Sequence, residues 1–281
     1  MHRVGAKTVV GYLLAFALQY LFVGDRRPLA AKVEPIRQFF KSIETCDPKP
    51  VSVVNEAKYI QHNPQTHEGS EGLATLFARL AKTQPRVEMI RGFADGDYVF
   101  AHMAYDFSSP RVCFEVFRFE DGFAVEHWDN LQEQAAPNHS NRTMLDGERT
   151  LDDLPATEAN RARVRAFVEA VLLDKQIDRI EEFVDVSGFA EHNPRLSDDL
   201  TQLKTELVPV GASQPKIDYR VLHRVLAQGN FVLSMSEGYV EGALSAFYDL
   251  YRLQGGLIVE HWDTAEQIAP TSQWKNNNGK F

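Results

Sequence analysis

The sequence predicts an α+β fold built twice in tandem, each copy with N-terminal helices packed on a curved antiparallel sheet. Three observations predict it. Two uncommon motifs recur in the same order; each copy opens with helical spacing and closes with alternating, β-rich runs; and Gly-containing turns separate those runs at hairpin spacing.

The repeat is carried by the motifs. Tyr59-Ile60-Gln61-His62-Asn63-Pro64 is followed by Val125-Glu126-His127-Trp128-Asp129, and Phe189-Ala190-Glu191-His192-Asn193-Pro194 by Val259-Glu260-His261-Trp262-Asp263. From histidine to histidine the separations are 65 and 69 residues. Arg91 stands five residues before Gly96, as Arg224 does before Gly229. Phe117 lies ten before His127 and Tyr251 ten before His261, with Glu115 and Asp249 as matching acids. A repeat of about 130 residues can bury its own core. The 281 residues divide into an apolar N-terminal segment (1–32), a first domain (33–147), a linker (148–156, within a Pro- and Asn-containing stretch from Ala135 to Pro155) and a second domain (157–281).

Glu34 to Ile43 is spaced as a helix that ends near Asp47-Pro48, and Gly72 to Ala81 as a second one. In the second copy, helical spacing runs from Thr157, a candidate cap, to Val184, and a shorter helix from Ser197, also a candidate cap, to Leu207. Val87–Ile90, Tyr98–Tyr105, Arg111–Phe119 and Phe123–Asp129 alternate as strands. Asp95-Gly96 and Asp121-Gly122 supply the positive φ of hairpin turns, as do Gly229-Asn230 and Gly255-Gly256 in the second copy.

A formal charge of -9 with no Lys/Arg cluster argues against nucleic acid as a partner. Cys46 and Cys113 read as free thiols, with no Cys-x-x-Cys spacing. No phosphate loop, dinucleotide fingerprint or Gly-x-Ser-x-Gly elbow is present. The charge-free run Val9 to Val23 suits an export signal better than a membrane anchor or a docking helix, although Leu29-Ala30-Ala31 is not a clean cleavage site. An exported location is favoured over a cytoplasmic one, and membrane contact is expected only through residues 9–23.

On a strand, His127 and Asp129 share a face about 6 to 7 Å apart, opposite Glu126 and Trp128. His261 and Asp263 repeat this. With that face inward, each copy offers an imidazole and a carboxylate for acid–base work. The alternative is structural: Trp as anchor, His on a carbonyl, Asp closing the strand. His62 and His192 sit in a turn stiffened by Pro64 and Pro194. His102 corresponds to Met235, so the first copy is the richer in candidate catalytic groups: His62, His102, His127 and Asp129, against His192, His261 and Asp263 in the second. Tyr59, Asn63, Arg91, Glu115, Phe117, Trp128, Asp249, Tyr251 and Trp262 are candidate pocket residues. No histidine pair has helical metal-ligand spacing, so neither a metal nor a cofactor is expected.

Taken together, Tyr-Ile-Gln-His-Asn-Pro, Ala-Asp-Gly-Asp-Tyr-Val-Phe-Ala-His, Phe-Glu-Val-Phe-Arg-Phe-Glu-Asp-Gly and Val-Glu-His-Trp-Asp-Asn resemble the SnoaL-like branch of the nuclear transport factor 2-like superfamily, closely from about Val33 to Gly147 and more loosely from about Thr157 to Pro270. The resemblance implies a cone-shaped α+β barrel around an apolar pocket for a small organic ligand or substrate. It also implies a pairing of cones through their sheets, which a tandem chain satisfies internally as a pseudo-dimer. Polyketide cyclase-like aldol closure or ketosteroid-type proton transfer on a carbonyl compound is the implied chemistry. A non-catalytic binding or assembly protein, and a hydrolase or dehydratase, are the alternatives. The Asp-Arg-Asp triad of epoxide-opening members is absent.

Overall fold

The computed structural model describes residues 29–45, 52–209, 211 and 214–281. The apolar run 9–23, Cys46 and Asp47-Pro48 lie outside the described residues. No described helix is long and apolar enough to cross a membrane.

Helix α1 (Leu29–Thr45) precedes strand β1 (Ile60–Gln61) and helix α2 (Gly69–Leu80); strands β2 (Arg86–Asp95), β3 (Tyr98–Asp106), β4 (Pro110–Glu120) and β5 (Phe123–Glu133) follow. The second half has helix α3 (Thr157–Phe167), a π turn (Val168–Leu173), short helix α4 (Ile180–Phe183), strand β6 (Ala190–Glu191) and helix α5 (Leu200–Glu206). Strands β7 (Ile217–Gln228), β8 (Phe231–Val240), β9 (Ala243–Gln254) and β10 (Leu257–Gln267) complete it. The fold is α+β, with two five-stranded sheets of order β1-β5-β4-β3-β2 and β6-β10-β9-β8-β7. In each, a two-residue strand pairs parallel with the last strand, placing Gln61 beside His127 and Glu191 beside His261.

The alternation in the strands is set by two buried faces. Facing α1, Val99, Ala101, Met103, Cys113 and Phe117 pack with Ile36, Phe39, Phe40 and Ile43, the i, i+3, i+4, i+7 stripe of that helix. Facing the other way, Phe100, Phe114, Val116 and Trp128 pack against Leu233, Tyr248, Leu250 and Trp262 of the second sheet. The second sheet's inner face meets α3 and the π turn through Val164, Phe167, Val168 and Val171. The two sheets are therefore joined back to back along one apolar seam.

Several local expectations change. The helical run from Thr157 breaks after the π turn, where Lys175 takes a left-handed φ of 59°. Thr157 does not cap: its hydroxyl donates to Leu154 O and accepts from Gly229 N. Asp199, not Ser197, caps α5, its carboxylate accepting from Thr201 N. A β-bulge interrupts pairing at Val125 and another at Val259, so strict alternation starts only at the Glu-His-Trp-Asp motif.

The segment after each sheet crosses to the other half. Asn138 Nδ2 donates to the carbonyls of Glu191 (2.7 Å) and Asn193 (3.2 Å), while His192 Nδ1 donates to Thr143 O at 2.8 Å. Residues 271–281 do the same to the first half. Lys275 N donates to Pro64 O (2.7 Å), Asn276 Nδ2 to Asn63 O (2.7 Å) and Asn278 Nδ2 to Gln61 O (3.0 Å). Gly147, with φ of 88°, lies where a Cβ would stand 2.1 Å from Glu260 Oε1, so this crossing needs glycine.

Candidate active site

In the first half a cavity of about 240 Å³ opens between α1, α2 and the sheet. Phe39, Phe40 and Phe77 form its apolar wall, and Glu115, His127 and Asp129 its polar floor. The register explains the floor: Glu115 pairs with Asp129 and Phe117 with His127 across β4 and β5, all projecting inward. His127 Nε2 meets Glu115 Oε2 at 2.6 Å, and Nδ1 meets Gln61 Oε1 at 3.0 Å. Gln61 Oε1 also accepts from Asn63 N (2.8 Å), so it faces His127 as an acceptor and His127 carries a proton on Nδ1. Tyr105 Oη donates to the other Glu115 oxygen at 2.7 Å. Asn63 Nδ2 donates to Asp129 Oδ2 at 2.7 Å, whereas Asp129 Oδ1 has no hydrogen-bond partner. Tyr59 lines the cavity; burial beside Glu115 and Asp129 pushes its phenol well above the ordinary range, so it stays protonated.

Ligand atoms of Glu115, His127 and Asp129 lie within 4.8 Å of one another, a spacing that could hold a metal ion. Helical spacing is the wrong test for such a group, because adjacent strands gather it instead. An ammonium already stands beside it: Lys280 Nζ is 3.7 Å from Asp129 Oδ1.

The second half repeats the arrangement with different charges. His261 Nδ1 meets both Glu191 oxygens (2.9 and 3.1 Å) and Nε2 meets Asp249 Oδ1 at 3.3 Å. Tyr219 Oη donates to Asp249 (2.8 Å) and Asn193 Nδ2 to Asp263 (2.7 Å). Burial opposes charge on His261, yet Glu191 and Asp249 outweigh it and hold the imidazolium well above the usual range. Asp263 is pushed up to about 7, by burial first and then by the Asp249 and Glu191 charges against the opposing His261. His261 and Asp263 line an open cavity of about 280 Å³, while Asp249 and Tyr251 line an inner void of about 30 Å³.

Seven candidate residues lie elsewhere. His62 stacks on Trp128 (4.7 Å) at the seam, its Nε2 on Glu126 (3.0 Å) and its Nδ1 donating to Gly279 O (3.2 Å). Arg224 covers the Trp128 ring at 4.2 Å. Its counterpart is a stack of His192 on Trp262 (4.7 Å), with Arg91 over the same indole at 4.1 Å. Position 62 is out of phase with Gln61 and Asn63, so the conspicuous histidine faces the seam while its two neighbours face the pocket. His102 is fully buried on the seam face, accepting from Arg91 Nη1 at 2.8 Å. Burial with Arg91 alongside drives it well below the usual range, so it is a neutral packing histidine. His62, His192, His102, Arg91, Trp128 and Trp262 are thus outside the cavities, and Phe117 stacks beneath His127 (4.4 Å) without lining one.

The residues that sequence reasoning passed over are Gln61, Tyr105 and, from the far half, Glu266 and Lys275 at the first cavity, and Glu191 and Tyr219 in the second half. For Gln61 a signal existed in its phase with Asn63. For Glu266 and Lys275 none did, since only the crossing of residues 271–281 brings that region near.

No family model matches the chain, and no curated protein matches it. Among solved structures it is similar to TsrD from Streptomyces laurentii at 21% identity and TM-score 0.33, over 38% of this chain and 92% of that one. It is also similar to an LEH-like epoxide hydrolase from M. tuberculosis at 19% identity and TM-score 0.32, over 37% and 84%. A steroid delta-isomerase from Pseudomonas aeruginosa is similar at 16% identity and TM-score 0.30, over 37% and 82%.

Proposed function

We propose that the first half is an acid–base site that moves a proton at the carbon next to a carbonyl of a small organic compound, in an isomerisation or aldol-type closure. The observation that carries this reading is the polar floor of an aromatic cavity: a Glu115–His127 pair beside Asp129, whose Oδ1 has no hydrogen-bond partner. In this mechanism the Asp129 carboxylate takes the α-proton. The Tyr59 phenol donates a hydrogen bond to the oxygen as enolate charge develops, and His127, held by Glu115 and Gln61, returns a proton on the other side of the step. The residues proposed to act are His127, Asp129, Glu115 and Tyr59.

For the second half we propose a binding and assembly role. The supporting observations are His261 enclosed by Glu191 and Asp249, which makes it reluctant to give up a proton, and Phe189 in the place of Tyr59, which leaves no phenol for the oxygen. The halves then form an intramolecular counterpart of a dimer. Division at residues 33–147 and 157–281, with export directed by residues 9–23, belongs to the same proposal.

Deuterium incorporation into cyclic ketones such as 2-tetralone, followed by NMR in D₂O, tests it. The expected result is exchange above buffer that falls about a hundredfold in His127→Ala and in Asp129→Asn, and stays within about twofold in His261→Ala. Exchange at wild-type rate in folded His127→Ala and Asp129→Asn sinks the reading.

A further inference from the structure

Lys280 is nearly fully buried, its side chain 4% exposed, although it belongs to the segment that has crossed from the second half. Its Nζ lies 2.5 Å from Glu266 Oε2 and 3.7 Å from Asp129 Oδ1. Glu266 itself comes from the second sheet, accepts from Leu131 N at 3.2 Å, and lines the first-half cavity. The same segment is fastened to the carbonyls of Gln61 and Asn63, the two residues whose side chains hold His127 and Asp129. Phe281, next in the chain, stacks on His223 at 3.9 Å and fixes the end of the crossing.

The second half has the same strands without this ion group. Gln132 stands where Glu266 does, five residues after the motif histidine, and its Oε1 accepts from Ala265 N at 2.9 Å. Asp263 Oδ1 has neither a hydrogen-bond partner nor a cation within 4 Å among the described residues. Joining the sheets therefore does not need the ammonium, because a neutral amide makes the equivalent contact. Burying an ammonium with two carboxylates gains little stability over an apolar plug. Both halves have a cavity-lining aspartate with a buried, unpartnered Oδ1; what the first half has in addition is a cation facing that oxygen.

We infer that Lys280 is a positioning residue for the first-half site: its ammonium, anchored by Glu266, faces Asp129 Oδ1 and keeps the carboxylate oriented with Oδ2 on Asn63. The second half thus supplies a part the first cannot provide for itself. This rests on the acid–base reading of Asp129 for its effect on turnover, though not for its effect on geometry.

Lys280→Met, Lys280→Gln and Lys280→Arg in the full chain separate the two. Lys280→Met lowers ketone exchange turnover about tenfold with KM within about twofold, and Lys280→Arg restores it. Lys280→Gln, which keeps a donor for Glu266 without charge, serves if the Met variant does not fold. Wild-type turnover in the folded neutral variant overturns the inference. If the wild-type chain exchanges no ketone, the acid–base reading has failed and NMR of the Asn63 side-chain amide decides. Those signals move in the neutral variant and hold in Lys280→Arg if Lys280 positions Asp129; signals unchanged in both overturn the inference.

Discussion

His127 and His261 occupy the same place in their sheets, each opposite an aromatic residue on the neighbouring strand and each beside the two-residue parallel strand. One is flanked by Gln61 and Glu115, the other by Glu191 and Asp249. A single exchange of amide for carboxylate at the Nδ1 side separates a histidine with one acidic contact from one enclosed by two. Shape is shared between the halves, and charge is not. The lesson is that equal backbone geometry leaves the chemistry to one or two contacts around the imidazole.

The comparison breaks most forcefully at what the halves share. Trp128→Ala and Trp262→Ala each remove a fully buried indole from the seam and should each cost about 3–5 kcal/mol in denaturant unfolding. A cost below about 1 kcal/mol for either would show that the seam does not join the sheets. Gln61→Glu gives the first half the second half's contacts. It should lower ketone exchange about tenfold at neutral pH and move the pH profile toward alkali, because a second carboxylate holds the imidazole protonated. Glu191→Gln should bring the titration of His261 down toward neutrality, visible in its ring NMR signals.

A pH-dependent difference is expected at Asp263, whose carboxyl is raised from 3.8 to about 7. The native state then keeps a proton that the unfolded chain has already lost, so this group's contribution to stability falls as pH rises from about 4 to 7. Asp263→Asn lacks that loss and should gain melting temperature relative to the parent over the same interval. A constant difference between the two would show that Asp263 ionises normally in the fold.

Much of this was legible in the sequence for physical reasons. Asp121-Gly122 and Gly255-Gly256 carry the positive φ values of hairpin turns, and period-two alternation put His127 and Asp129 on one face. His102 falls in the seam and not in the cavity because both faces of β3 are buried: Phe100 and His102 enter the seam while Ala101 and Met103 enter the cone. With both faces apolar, alternation gives a phase without saying which side holds the cavity. His62 misled for a related reason, since the rarest residue of its turn packs on Trp128 while the plainer Gln61 and Asn63 reach the pocket. The role of residues 271–281 rests on contacts more than 200 positions apart in the chain, as between His62 and Gly279, which no local pattern encodes.

The reciprocal crossing of the two segments has a consequence for how the molecule is made. Synthesis releases the first half long before residues 271–281, so its Gln61–Asn63 turn waits, unfastened, until that segment has emerged and folded back. Maturation is therefore a closing of two clasps rather than two successive events. Neither half can be lost or freed without leaving the other's loop open.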